Sequence, residues 1–162
     1  MAELILLIDG SVSAQSKIGY GAYLALSESE LSLPELKTRV KIKRFEQTSS
    51  TKLELQILLW ALGDIQASGS KLIVYTDSQN IIGLPGRRSR LEQNNYLSNK
   101  KILLKNYELY QVFYRLIDQL GFQLVKVRGH QPSNQKSAID QLFTLVDKAS
   151  RKALREDIRV QS

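Results

Sequence analysis

The sequence predicts an α/β domain. A mixed five-stranded sheet, three antiparallel strands followed by parallel ones, carries helices packed on it. Three observations predict this. Residues 4–8 and 71–76 are short, mostly apolar runs, the pattern of strands covered on both faces. Between them lies a segment with a broad apolar surface at helical spacing, so strand, crossover helix, strand implies a parallel pair. Only a short, small and polar connection follows the first run, which makes the next strand its antiparallel neighbour.

The first strand runs into Asp9 and Gly10, and residues 11–17 form the turn after it. Residues 19–26 are the second strand, and residues 27–36, with Pro34, a loop. Residues 38–45 alternate Val40 and Ile42 against Arg39, Lys41 and Lys43, a third strand with a polar face at the sheet edge. A helix opens at Thr51-Lys52-Leu53-Glu54 and runs to about Ala67, with Gly69 closing it. Residues 71–76 are the fourth strand. Residues 78–84 form a short helix, ended by Pro85-Gly86. Residues 107–120 have helical spacing through Leu109, Val112, Phe113, Leu116, Ile117 and Leu120, and Gly121 stops them. Residues 122–127 are the last strand, and a final helix spans about 136–155. No repeat or linker divides the chain, so residues 1–162 read as one domain.

Charge narrows the function. Twenty-three Lys and Arg against 16 Asp and Glu give a net charge of +7 and a pI near 9.6. That favours a polyanionic partner, nucleic acid before a membrane surface. The bias concentrates at residues 86–106, where Arg87, Arg88, Arg90, Lys100, Lys101 and Lys105 face only Glu92. This segment reads as a phosphate-contacting surface. The absence of Cys excludes disulfides and thiolate metal sites and fits a reducing compartment. No apolar stretch approaches the ~20 residues of a membrane span, and the N-terminus lacks a secretory pattern. A cytoplasmic monomer is expected, with no protein partner implied.

Four acids stand at informative places, each with an ordinary structural explanation. Asp9 can serve the turn. Glu54 completes a capping box with Thr51. Asp77 and Ser78 can cap the helix they precede. Asp147 lies four residues before Arg151, at ion-pair spacing. Together they suggest more. If the strands before Asp9 and Asp77 are parallel neighbours, both carboxylates emerge at one edge of the sheet, where ligands of open sheets gather. Glu54, at the start of the crossover helix, can lean into the same place. Two bare charges ~4 Å apart cost ~4 kcal/mol at an effective dielectric of 20, so a cation is the natural occupant. Oxygen-only ligands point to Mg²⁺ or Mn²⁺, and a pair of such ions can activate water at a phosphodiester. His130, the sole His, sits in a Gly-His-Gln-Pro loop suited to proton transfer.

At this point the chain resembles type 1 ribonuclease H. The resemblance rests on Asp9-Gly10-Ser11, on Gly19-Tyr20-Gly21, and on residues 49–55 with Glu54-Leu55. It continues through Thr76-Asp77-Ser78-Gln79, then Val127-Arg128-Gly129-His130, then Asp147 with Ala149 and Arg151, all in the family's order across residues 4–155. It implies a ribonuclease H-like fold and cleavage of the RNA strand of RNA–DNA hybrids by a two-metal-ion mechanism, leaving 5′-phosphate and 3′-hydroxyl ends. It implies Asp9, Glu54, Asp77 and Asp147 as the ligands of a pair of Mg²⁺ (or Mn²⁺) ions, and His130 as an aid to water or product release. Substrate contacts would fall to Ser11, Ser50, Thr51 and Gln79, with Arg87, Arg88, Arg90, Lys100 and Lys101 on the basic segment. The chain departs from the family at Ser50 and Thr51, where two Asn are common, and in lacking the Trp residues of the basic protrusion. Asp140 is a rival for the fourth acid; Ala149 and Arg151 favour Asp147. Two other classes fit the same residues: a non-catalytic nucleic-acid-binding module, and a related nuclease preferring another substrate such as double-stranded RNA.

Overall fold

A computed structural model describes residues 3–30, 34–65, 71–128 and 137–161. Its centre is β1 (Glu3–Ser13), paired antiparallel with β2 (Ile18–Ser27) on one side and parallel with β4 (Lys71–Thr76) on the other. β3 (Lys41–Phe45) and β5 (Gln123–Lys126) form the two edges, giving the order β3-β2-β1-β4-β5. Four helices pack on this sheet: α1 (Ser50–Asp64), α2 (Gln79–Gln93), α3 (Tyr107–Leu120) and α4 (Ala138–Gln161). The mixed five-stranded α/β architecture is the one expected.

β1 is central because every residue of its apolar run has somewhere to go. Leu6 and Ile8 enter the core beneath α1, α2 and α3, with Leu58, Leu72, Val74, Ile81 and Phe113. Ile5 and Leu7 enter the core on the opposite face with Leu142, Phe143 and Val146 of α4. Each such side chain contributes about 2 kcal/mol on burial.

The boundaries differ from expectation in ways that matter. β1 does not end at Asp9. Its ladder with β4 stops at Leu7↔Tyr75, but β2 carries it on to Ser13↔Ile18, so the turn shrinks to residues 14–17. β3 starts at Lys41 rather than residue 38, because Pro34–Arg39 winds into a 3₁₀ helix that buries Leu36. Helix α1 is capped by Ser49, whose side chain accepts from the Lys52 amide, and not by Thr51. Glu54 is therefore free of the capping box. The helix ends at Asp64; the expected stop at Gly69 lies outside the described residues.

The largest correction concerns Pro85. It lies inside α2, which continues to Gln93. Side-chain donors brace the backbone around it: Tyr114 Oη donates to the Leu84 carbonyl at 2.6 Å, and Arg87 Nη2 to the Asn80 carbonyl at 3.1 Å. Arg87, Arg88 and Arg90 consequently stand on a helix rather than in a loop. α4 likewise runs past residue 155 to Gln161, since its apolar face continues through Leu154 to the ion-paired Asp157.

Candidate active site

Four elements bring the acids together. Beyond Leu7↔Tyr75 the parallel strands β1 and β4 part, and Asp9 and Asp77 follow at the same carboxyl edge. α4 lies across the other face, anchored to β1 by a 3.2 Å hydrogen bond between the Ser11 and Ser150 hydroxyls, and sets Asp147 beside Asp9. α1 approaches from the first face. It can do so because Gly10 and Gly21, cross-strand partners, and Gly19 have no side chains. A Cβ at Gly10 would stand 2.4 Å from Ile57 Cδ1, one at Gly21 2.4 Å from Ile57 Cγ1, and one at Gly19 2.8 Å from Leu53 Cδ2. The two glycines of the Gly-x-Gly stretch thus let α1 sit low enough to deliver Glu54. The result is a recess of about 200 Å³ lined by Asp9, Glu54, Asp77, Ser50, Thr76 and Ser78 over an apolar floor.

Its electrostatics are those of crowded acids. Burial, then the charge of Asp77 and a hydrogen bond shared with Asp147, push the Asp9 carboxyl up to about 8. Burial also raises Glu54, aided by Asp77, although a 2.6 Å hydrogen bond from Ser78 Oγ opposes the shift. The same Ser78 oxygen accepts from the Ile81 amide and so caps α2. Asp147 is steadied by Arg151, with contacts of 3.0 and 2.8 Å. Asp140 is engaged elsewhere, accepting from the Ser137 amide and hydroxyl in the cap of α4. Asp147 is therefore the α4 acid that meets Asp9.

The donor chemistry fits a hard divalent cation: the donors are carboxylate and hydroxyl oxygens, and the acids crowd one another. The side chains are not drawn around one point, however. Among the described residues no group of three or more acid or imidazole side chains is close enough to hold a metal ion as it stands.

The remaining expected residues scatter in informative ways. Ser50 lines the recess and Thr51 is exposed beside it. Gln79 opens α2 and accepts from Lys126 Nζ at 2.8 Å. Arg87 turns onto Asn80, at 2.7 Å from its side-chain oxygen. Arg88 donates to both oxygens of Asp118 at 2.7 and 2.8 Å and lies over the Tyr114 ring. Arg90, Lys100 and Lys101 are exposed. His130 lies outside the described residues.

Sequence reasoning missed a second recess of about 420 Å³ lined by Lys17, Gln47, Thr48, Ser49, Lys52, Lys105 and Asn106. Three lysines converge there on the N-terminus of α1, where amides and ammonium groups together suit an anion. It adjoins the acid recess through the neighbouring residues Ser49 and Ser50. Nothing local signals it, since its lysines come from three distant parts of the chain.

Comparisons with known proteins bear on the family and the fold. The family model described as RNase H matches residues 1–148. The Ribonuclease H of Syntrophomonas wolfei is 27% identical over 145 residues, covering 88% of this chain and 94% of that one. A Ribonuclease H of Clostridium botulinum is 26% identical over 148 residues, covering 88% and 93%. Among solved structures, the solution structure of the PFV RNase H domain aligns with a TM-score of 0.66 over 93% of this chain and 92% of that one. Its identity is 14%, so that likeness is one of fold.

Proposed function

Because this chain belongs to the RNase H family, we propose that it is a metal-dependent endoribonuclease that hydrolyses the RNA strand of RNA–DNA hybrids, giving 5′-phosphate and 3′-hydroxyl ends. The observation that carries the reading is the meeting of Asp9, Asp77 and Asp147 at one sheet edge with Glu54 beside them, next to a lysine-lined recess. When bound at these four acids, Mg²⁺ or Mn²⁺ ions supply charge neutralisation at the phosphate and activation of water.

The chain's own residues do the rest. Ser78 fixes the Glu54 carboxylate and Arg151 the Asp147 carboxylate, so neither swings away when the site is filled. Lys17, Lys52 and Lys105 hold a backbone phosphate of the duplex and set its register against the acids. Ser11, Ser50, Thr51 and Gln79 contact the sugar edge, where the 2′-hydroxyl separates RNA from DNA. His130 handles a proton at the water or the departing product, as the resemblance implies. Arg90, Lys100 and Lys101 extend the phosphate-binding surface.

The test is cleavage of labelled RNA–DNA hybrid, double-stranded RNA and double-stranded DNA, each with Mg²⁺, Mn²⁺ or EDTA, with Asp77→Asn as control. Metal-dependent cutting of hybrid alone, lost in the variant, is the expected result. Cutting of another substrate would keep the site and change the substrate. Binding without cutting would make the protein a recognition module.

A further inference from the structure

One surface is not accounted for by charge. Ile102 and Leu103 are 65% and 49% exposed, adjacent, and among the few large aliphatic side chains that the described residues leave to solvent. They are not on a loose tail. Leu97 and Leu103 form an antiparallel bridge. The Ser98 amide donates to the Ile102 carbonyl at 2.8 Å, and the Leu104 amide to the Tyr96 carbonyl at 2.8 Å. The turn between them uses left-handed backbone at Lys101 (φ 61), as its base does at Asn95 and Tyr96 (φ 52 and 59). Non-glycine residues avoid that region, so the chain accepts strain here while holding two aliphatic side chains out in water.

Their setting selects the partner. Lys100, Lys101 and Lys105 flank the pair, all exposed. Glu92, the lone acid of residues 86–106, is taken up by Arg88 at 3.2 Å. Lys105 itself lines the cationic recess, three residues from Ile102, so the pair is continuous with the surface that leads to the acids. An apolar tip in a cationic rim matches a duplex minor groove, whose walls are phosphates and whose base steps admit an aliphatic side chain as a wedge.

We propose that Ile102 and Leu103 form an aliphatic wedge that seats in the minor groove of the hybrid while Lys100, Lys101 and Lys105 bracket its phosphates. This rests on the hybrid reading above and adds to it a contact that salt does not screen.

The experiment measures hybrid affinity over a range of salt in an Asp77→Asn background, which removes cleavage. Ile102→Ser/Leu103→Ser raises Kd by about tenfold, the scale of losing two aliphatic contacts, and leaves the slope of log Kd against log salt unchanged. Lys100→Gln/Lys101→Gln flattens that slope instead. The exchange Ile102→Leu/Leu103→Ile keeps the original affinity, as a contact that needs only aliphatic surface requires. An unchanged Kd in the serine variant overturns the wedge. So does a flattened slope in that variant, or sedimentation showing that the pair joins two copies of the chain. If the Asp77→Asn protein binds no hybrid at all, the hybrid reading itself fails, a result distinct from binding that the serine variant leaves intact.

Discussion

Two aspartates between the sheet and α4 meet opposite surroundings. Asp157 reaches from α4 to the outer strands, accepting from Tyr20 Oη and Arg44 Nε at 2.7 Å each, and these partners hold its carboxyl below the usual range. Asp9, on β1, faces Asp77 and Asp147, and burial with those charges pushes it up to about 8. One acid ties helix to sheet; the other is held against its own kind by the rest of the fold. A like-charged cluster survives only where surrounding packing over-determines it, and that is where a cationic ligand gains most. On the proposed reading the cluster is the part of the molecule shaped for function, and the Tyr20–Asp157–Arg44 clasp the part shaped for stability.

The sharpest break of this comparison removes one charge from each. Asp9→Asn or Asp77→Asn lowers hybrid cleavage by about a thousandfold or more, because metal-assisted phosphodiester chemistry loses several kcal/mol of stabilisation. The metal-free melting temperature of Asp9→Asn does not fall. Asp157→Asn behaves in reverse, lowering the melting temperature and leaving cleavage near its original rate. Cleavage by purified Asp9→Asn at the original rate would refute the site.

The sequence made the acids legible and left their support hidden. Asp9 and Asp77 could be placed together because each follows an apolar strand and a crossover helix makes those strands parallel. Glu54 was ambiguous, since Thr51-Lys52-Leu53-Glu54 satisfies a capping pattern. Only the cap at Ser49 and the bond from Ser78 show that Glu54 is released from the cap and turned to the recess. Pro85 misled because a proline's local cost argues for a helix end, and the donors that brace the turn come from Tyr114 and Arg87, one of them far away in sequence. The lysine recess had no local signature at all.

Glycines give the next largest effect and separate the two roles within one helix contact. Gly21→Val sets a side chain against Ile57, where a Cβ alone would lie 2.4 Å from Cγ1. Overpacking costs about 1–3 kcal/mol, and α1 must rise, taking Glu54 with it. Both the urea midpoint and kcat fall. Gly63→Ala, also involving α1 but with nothing within 4 Å of the added Cβ, stabilises the fold by about 0.5–1 kcal/mol, raises the midpoint and spares kcat. If both variants lost activity equally, the close approach of α1 would not be what positions Glu54.

The pH dependence of stability sets the same two acids against each other with a smaller effect. Asp9 binds a proton in the folded chain between its ordinary 3.8 and about 8, while the unfolded chain does not. Metal-free stability therefore declines as pH rises across that window, and Asp9→Asn flattens the decline. Asp157 has a lowered folded value, so its stabilisation is present above the ordinary carboxylate range and is lost as pH falls through the folded value. Wild type and Asp157→Asn then converge in acid. Melting curves in EDTA from about pH 3 to 9 read both.

The smallest effect divides two neighbouring arginines on α2. Arg88 already gives two hydrogen bonds to Asp118 and another to Glu92, so a phosphate would have to displace partners that are in place. Arg90 is exposed on the same turn of the helix. Replacing Arg90 by Gln should reduce the salt slope of hybrid binding by about one counterion, the share of a single phosphate contact. Replacing Arg88 by Gln should lower the melting temperature and change the slope less, since its charge is engaged within the protein. An equal fall in slope for both would mean that the Asp118 pair opens when nucleic acid arrives. Residues 86–106 would then act as one electropositive surface, and the distinction between holding the fold and holding the substrate would end at the acid cluster.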